Sequence, residues 1–422
     1  MREKKNASNF LKTLGPGILF ASTAIGVSHL VQSTRAGADF GFSLIPFVLA
    51  ANIFKYPFFE FGSRYANATG TSIIDGYKRI GKWMIWLYFL ITIGSMFFVC
   101  GAVGAVTSGF LQNLFGISSW GIWATVCLFG FCTSILIAGK YSLLDSMTKI
   151  IGVVLVLSTL LAFCLALMKG AAPMKADFIP PSIWTDQSML FIVALMGWMP
   201  TAVDMSAWSS LWTIARIKQT GYKPTMKETL ADFNFGYIVS AVLAICFVTL
   251  GAYVLFGTGQ SLPEAPAAFA SDVVGLFTAF IGDWSYIIIA IAGFSIMFGT
   301  CITVFDGYAR SIERSAILLF QKEEKSEKSE SNNLYMASLL LVALGSFGII
   351  FFFGRQMKNL VDLATTMSFL IAPVIAVVNY RLVTGSDVEK EDQPKLWLKI
   401  LSWLGIIFLT GFAIYYVKIR FF

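Results

Sequence analysis

Charge is scarce in this chain. Asp, Glu, Lys and Arg make up 13% of its 422 residues, against about 25% in a soluble globular protein. With 57% hydrophobic residues, that shortage excludes a string of soluble domains. Histidine is scarcer still: His29 is the only one, so no zinc-protease helix can be built. No P-loop and no nucleophile elbow occurs either, which removes the usual grounds for an enzyme, and no cofactor is called for. The six cysteines (Cys100, Cys127, Cys132, Cys164, Cys246, Cys301) are scattered through apolar segments. They form neither a disulfide framework nor a metal motif. The start, MREKKNASNF, leads into a glycine-punctuated stretch unlike a cleavable signal core.

What is present is a series of apolar runs long enough to cross a bilayer. Eleven spans are expected: 15–34 (interrupted), 42–63, 84–113, 119–139, 143–168, 188–214 (interrupted), 232–256, 273–308, 335–353, 358–381 and 396–417. The eighth carries a candidate break at Gly282-Asp283. The net charge of +7 lies mainly in short connections, where it sets orientation rather than binding nucleic acid. Arg2, Lys4, Lys5 and Lys12 precede the first span, and Arg310, Arg314, Lys322, Lys325 and Lys328 follow the eighth, whereas 257–275 has no Lys or Arg. This asymmetry predicts an integral protein of a bacterial cytoplasmic membrane, N-terminus inside and C-terminus outside. The low-complexity stretch 321–333 reads as a solvated cytoplasmic loop.

The stretch Gly15–Ser43 organises the rest. It opens Gly-Pro-Gly, runs apolar and is interrupted at Gly26-Val27-Ser28-His29. The sixth span is interrupted at Gly197-Trp198-Met199-Pro200-Thr201. Four spans separate the two, so each interruption opens one of two successive five-helix units. An odd count inserts the second unit upside down, the inverted-repeat plan of secondary transporters. The units are 15–168 and 188–381, with a tail 1–14, an extracellular loop 169–187 and an added helix 396–417. The competing reading is two ordinary kinked helices, since Gly and Pro are common in membrane spans.

Gly15-Pro16-Gly17, Ala21, Ala36-Gly37-Ala38, Phe40-Gly41, Ser43-Leu44, Asn52, Arg64 and Thr69-Gly70 resemble the first two helices of the natural resistance-associated macrophage protein (NRAMP) family. Met199-Pro200 resembles its helix-6 Met-Pro; Gly299, Tyr308-Ala309, Phe369 and Pro373 fit helices 8 and 10. The resemblance implies an all-α polytopic protein of LeuT-type fold: two inverted five-helix repeats, helices 1 and 6 broken, and an eleventh helix. It implies proton-coupled import of divalent transition metals. The departures fall on the site. Where the family reads Asp-Pro-Gly-Asn, this chain has Gly26, Val27, Ser28 and His29; where it has two helix-6 histidines, Thr201 and Ser206 stand. No Asp or Glu lies between Asp75 and Asp145, so the family's helix-3 acids are missing too.

The candidate substrate site is therefore Gly26, Ser28, His29, Met196, Met199, Thr201 and Thr300. His29 and Met199 are the metal-ligand candidates, neutral and fairly soft. Met196 and Met199 share a face at i,i+3; packing is their competing role. Coupling or gating candidates are His29, which titrates near neutrality when unperturbed, and the acids Asp204, Asp306 and Asp362. Each has a structural alternative: His29 packed at the break, Asp204 as a hydrogen-bonding residue, Asp306 paired with Arg310 at i,i+4. Lys55 and Glu60 are too badly spaced to pair, so each is expected to meet another helix or snorkel; Arg35 with Asp39 is expected as a surface pair. Three functions follow: a metal-ion transporter with an altered site, a transporter of another small solute, or a membrane sensor. The expected partners are the transported ion or solute, a coupling ion and membrane lipid, with no nucleic acid.

Overall fold

The computed structural model describes residues 12–321, 332–353 and 356–422, with the side chains of Lys140, Tyr141 and Phe280 excepted. The tail 1–11 and most of the charged stretch 321–333 lie outside the described residues. No strand occurs among the described residues.

The first span is three pieces in series: α1 (Pro16–Ala24), a π-helical segment (Val27–Ser33) and α2 (Thr34–Phe40). The second is α3 (Ile45–Thr69), followed by a short amphipathic helix α4 (Ile73–Ile80). A capping box of Ser72 and Asp75 starts α4. The third span is α5 (Lys82–Phe115). Helical hydrogen bonding then runs through α6 (Ile122–Lys169), which holds two apolar spans, Ile122–Gly139 and Ser142–Lys169. Forty-eight residues at about 1.5 Å each far exceed a bilayer's apolar thickness. The run folds back: Thr125 bonds Ser108 near the end of α5, Asp145 bonds Arg216 at the opposite face, and Ala172 returns to Tyr253.

The sixth span is α7 (Asp186–Gly197), an irregular segment with a cis Met199-Pro200 peptide, a 3-10 turn (Val203–Met205) and α8 (Ser206–Thr220). There follow α9 (Met226–Leu255), α10 (Pro266–Ile281), α11 (Tyr286–Phe320), α12 (Asn332–Phe353), α13 (Met357–Val383) and α14 (Leu396–Phe421). Among the described residues, eight helical spans are long and apolar enough to cross a membrane, two of them within α6. To these are added the two broken spans and α3, whose Lys55, Glu60 and Arg64 make it more charged, for eleven crossings.

The eighth span differs from expectation. Its interruption lies at Gly282, with φ at 135°, but the part before it is a separate helix, α10, and the span itself is α11. A continuous apolar run conceals this turn, because only Gly282 and Asp283 interrupt it. The span also extends to Phe320, so Arg310 and Arg314 are helical rather than loop residues. Arg310 pairs with Asp306 at 2.8 Å and Arg314 pairs with Asp75 of α4.

Around the first span the packing is close because glycines permit it. A Cβ on Gly17 would lie 2.0 Å from the Asp232 carbonyl oxygen of α9, and one on Gly236 would lie 1.9 Å from the Gly17 carbonyl oxygen. Further along, Gly37 and Gly251 make the same backbone-to-backbone approach between α2 and α9. One straight helix thus grips both halves of the broken span. The amino-terminal end of α1 is fixed by Asp232, which accepts from Gly15 N at 3.1 Å and Gly17 N at 2.7 Å. A carboxylate there answers both the free amides and the helix dipole.

Asp306 is a second fixed point. It is fully buried and accepts from Arg310 Nε (2.8 and 2.9 Å), Trp212 Nε1 (2.9 Å) and Tyr335 Oη (2.8 Å). One carboxylate thereby joins α8, α11 and α12. Asp306→Ala takes from Arg310, Trp212 and Tyr335 the buried carboxylate that they share, and is expected to cost about 3–5 kcal/mol. Thermal unfolding in detergent should register this as a clear fall in the midpoint. Gly236→Val should also lower the midpoint, by roughly 1–3 kcal/mol of overpacking. Gly411→Ala, where an added Cβ meets nothing within 4 Å, should leave it in place.

Candidate functional site

At the first break α1 ends at Ala24, and the Ile25 amide still closes on Ala21. Beyond it the chain turns at Gly26 (φ −146°, ψ −121°) into the π-helical segment. The last carbonyls of α1 would be orphans in an apolar surrounding. Two hydroxyls meet them. Thr300 of α11 lies 2.8 Å from Ser22 O and 3.1 Å from Ile25 O. Ser28 donates to Ala24 O at 2.5 Å. Gly26 is needed because a Cβ there would stand 2.3 Å from Thr300 Oγ1.

His29 is fully buried, and both ring nitrogens are engaged. Nε2 lies 2.8 Å from the Ser240 carbonyl oxygen of α9 and Nδ1 lies 2.7 Å from Ser28 Oγ. A carbonyl only accepts, so Nε2 carries a proton, and the single Ser28 hydrogen is shared between Ala24 O and Nδ1. The ring therefore ties the break to the seventh span and presents no free nitrogen to a ligand.

At the sixth break the central fact is Lys55, from the middle of α3. Its side chain is fully buried, and Nζ donates to four carbonyl oxygens: Met196 (3.0 Å), Gly197 (3.0 Å), Met199 (2.9 Å) and Thr201 (2.7 Å). These are the groups left open where α7 unwinds. Lys55 thus meets another helix, as its spacing from Glu60 required, but through backbone oxygen rather than a carboxylate. Glu60 instead accepts from Arg64 Nε on its own helix at 2.9 and 3.1 Å.

Between the breaks lies a small cavity lined by buried residues. Thr23, Val27 and Ser28 line it from the first span; Trp198, Thr201 and Met205 from the sixth; Val99 and Val103 from α5; Thr300 and Val304 from α11. At its centre there is room for about one water-sized guest. Its polar hydrogens are already used. Thr23 donates to Leu19 O, Ser28 to Ala24 O, Thr201 to Met205 Sδ and Trp198 Nε1 to Ser368 Oγ, and the Thr300 hydroxyl serves the end of α1. Oxygen and sulfur lone pairs are what these groups have left for a guest.

Of the expected site residues, Ser28, Thr201 and Thr300 meet at this cavity. Gly26 packs directly behind Thr300. Met196 and Met199 are fully buried outside the lining, and they face Lys55 through their carbonyls. Sequence reasoning missed Thr23, Trp198 and Met205, whose position beside two breaks was the available signal. Among the described residues no group of three or more His, Cys, Asp or Glu is gathered for a metal.

The acids take separate places. Asp306 is saturated, as described above. Asp362 of α13 pairs with Arg35 at 2.8 Å and accepts from Gln32 at 3.0 Å, and Arg35 lies over Phe191. Arg35 therefore chooses α13, not the exposed Asp39 one turn away, and joins the first span to the tenth at the face opposite the α1 start. At the α1 face, Arg216 joins Asp145 (3.0 Å) and the Lys12 carbonyl (2.7 Å). Asp204 is buried beside the 3-10 turn, and its Oδ1 has no hydrogen-bond partner.

Comparison with known proteins fits this geometry. The family described as natural resistance-associated macrophage protein-like matches residues 17–418. An uncharacterised Pasteurella multocida protein, PM0681, is 36% identical over 98% of this chain and 94% of its own length. The divalent metal cation transporter MntH of Listeria monocytogenes is 22% identical over 97% of this chain and 91% of its own. Among solved structures, the Eremococcus coleocola manganese transporter superposes with a TM-score of 0.71 at 14% identity, covering 97% of this chain and 87% of that one. MhsT in complex with L-phenylalanine reaches 0.56 at 12% identity, covering 94% and 98%. The fold is thus the all-α LeuT type, and the chain belongs to the NRAMP-like family of membrane transporters.

Proposed function

We propose that this chain is a secondary transporter that moves a metal cation by alternating access, through a site rebuilt from neutral donors between its two broken spans. The observation that carries this reading is the acceptor-only cavity. Four hydroxyl oxygens and a thioether surround space for an ion-sized guest, and their hydrogens are spent on other partners. Such a lining favours a cation over an anion. Oxygen with thioether sulfur favours a softer transition ion over Mg²⁺. MntH, a divalent metal cation transporter, and the Eremococcus manganese transporter support the same choice.

Alternating access needs a closure on either side. Arg35–Asp362 is the proposed closure at one face, and Asp232 with the Asp145–Arg216 pair is that at the other. The two units, 15–168 and 188–381, are proposed to rock against one another as inverted repeats. The α1 face is proposed as cytoplasmic: Lys12, Arg79, Lys82, Arg216, Lys218 and Lys223 gather there. Asp204 is the proposed coupling group, since a buried carboxylate with an open oxygen can take up a cation or a proton.

A second reading is a carrier of a small neutral solute. It is favoured by one observation: no carboxylate lines the cavity, so a dication would find no opposite charge there.

Calorimetry with Mn²⁺, Cd²⁺ and Mg²⁺ on purified protein separates the two. The expected result is saturable Mn²⁺ or Cd²⁺ binding, weak or absent for Mg²⁺, and weakened at least roughly tenfold, or 1.4 kcal/mol, in Thr201→Val. Absence of binding by well-folded protein would transfer the assignment to the neutral solute. In proteoliposomes, Asp204→Asn should lower cargo flux while equilibrium binding persists. Wild-type flux in that variant would make Asp204 structural.

A further inference from the structure

We propose that the four carbonyls at the break of the sixth span form a monovalent-cation site, and that the Lys55 ammonium is its resident, covalently tethered occupant. This site is separate from the central cavity and from whichever cargo fills it.

Three observations lead there. The first is the number and direction of the ligands. Met196, Gly197, Met199 and Thr201 all turn their oxygens on one atom at 2.7–3.0 Å. A neutral amine has two N–H groups and a lone pair that would face an oxygen; an ammonium has three N–H groups and none. Only the cation suits four acceptors. The second is the origin of the oxygens. They belong to the unwound end of α7, where the helix dipole is negative and peptide oxygens lack intrahelical partners. Unwound carbonyls and half-helix ends of this kind coordinate alkali ions in broken-helix transporters, and carbonyl rings replace an alkali ion's hydration shell in channels. The third is burial. Lys55 is fully buried, and no carboxylate hydrogen-bonds to it. Only the Phe59 ring, 6.0 Å from Nζ, adds a cation–π contact. The site's ligands are thus dipoles, not charges. A neutral ring of four dipoles suits one positive charge and undercompensates two.

The tether changes what the site does. A free alkali ion would come and go with its concentration, and its gradient could be coupled to transport. Lys55 makes the same charge permanent. The protein's stability is therefore indifferent to Na⁺ and K⁺, while the geometry of a site for them is retained.

Purified full-length protein and its Lys55→Ala variant test this. Thermal midpoints are measured in choline chloride and after replacement by NaCl, KCl or methylammonium chloride at equal ionic strength. Wild-type protein is expected to keep one midpoint throughout. Lys55→Ala should fall by roughly 5 °C or more in choline, and at least one of the three small cations should restore half or more of that loss saturably. A monodisperse Lys55→Ala protein that ignores all three cations would overturn the proposal. So would a wild-type protein that responds to them as strongly as the variant. Should Lys55→Ala yield no monodisperse protein in choline, solubilisation in methylammonium chloride is the second measurement, beside Lys55→Met. Recovery of Lys55→Ala by methylammonium supports the site. A Lys55→Met protein with the wild-type midpoint in choline overturns it, because the charge would then be dispensable.

Discussion

A helix broken inside a membrane frees backbone groups that no water can satisfy, and the architecture of this protein follows from meeting them. The start of α1 gives two amides to Asp232. The end of α1 gives its carbonyls to Thr300 and Ser28. The end of α7 gives four carbonyls to Lys55. Each unmade bond of this kind would cost several kcal/mol in hydrocarbon. The partners are therefore as much a part of the breaks as the glycines and the proline that cause them.

Three of these partners come from other spans: Asp232 from the seventh, Thr300 from the eighth and Lys55 from the second. The breaks are thus fixed by helices that are themselves continuous. Through Gly17 with Gly236 and Gly37 with Gly251, α9 also approaches both halves of the first span at backbone distance. Any motion that opens the cavity must slide one half of that span along α9 or carry α9 with it. The bond from His29 to Ser240 falls between the two glycine contacts. It pins the middle of the same interface.

The spans were legible in the sequence because hydropathy runs and loop charge report the bilayer directly. The breaks were legible from Gly26 and Met199-Pro200, and the resemblance supplied the fold. What could not be read was side-chain direction. A lone histidine at a helix break has the composition of a ligand, but the π-helical turn aims it at a carbonyl of the seventh span. Arg35 and Asp39 are local neighbours, yet Asp362 lies 327 positions away in sequence and wins the guanidinium. Lys55 was read against carboxylates, and its partners are peptide oxygens, which every residue carries and no sequence distinguishes. Glu60 and Arg64 stood at the favourable i,i+4 spacing, so their pair was available to a search that included more than Lys55. Gly282-Asp283 marks the break in the sequence, but apolar character on both sides conceals that one helix becomes two.

The charges of the sixth span also bear on the kind of cargo. Lys55 sits at the end of α7, where the helix dipole is negative, and Asp204 sits just before α8, where it is positive. Each half-helix thus faces a charge of the chain's own, of the sign that its dipole favours. The two side chains are of opposite sign, each matched to the dipole end that it meets. A cargo entering the cavity meets a sixth span whose helix ends are already compensated. The first span is different: its break is met by the neutral hydroxyls of Ser28 and Thr300, and no side-chain charge answers the end of α1. That end is the negative pole of a half-helix. On the proposed reading, the attraction left for a positive cargo would come chiefly from dipoles of the first span rather than from a carboxylate. Dipoles hold an ion more weakly than a full opposite charge does, and they release it more readily when the two halves of the span separate.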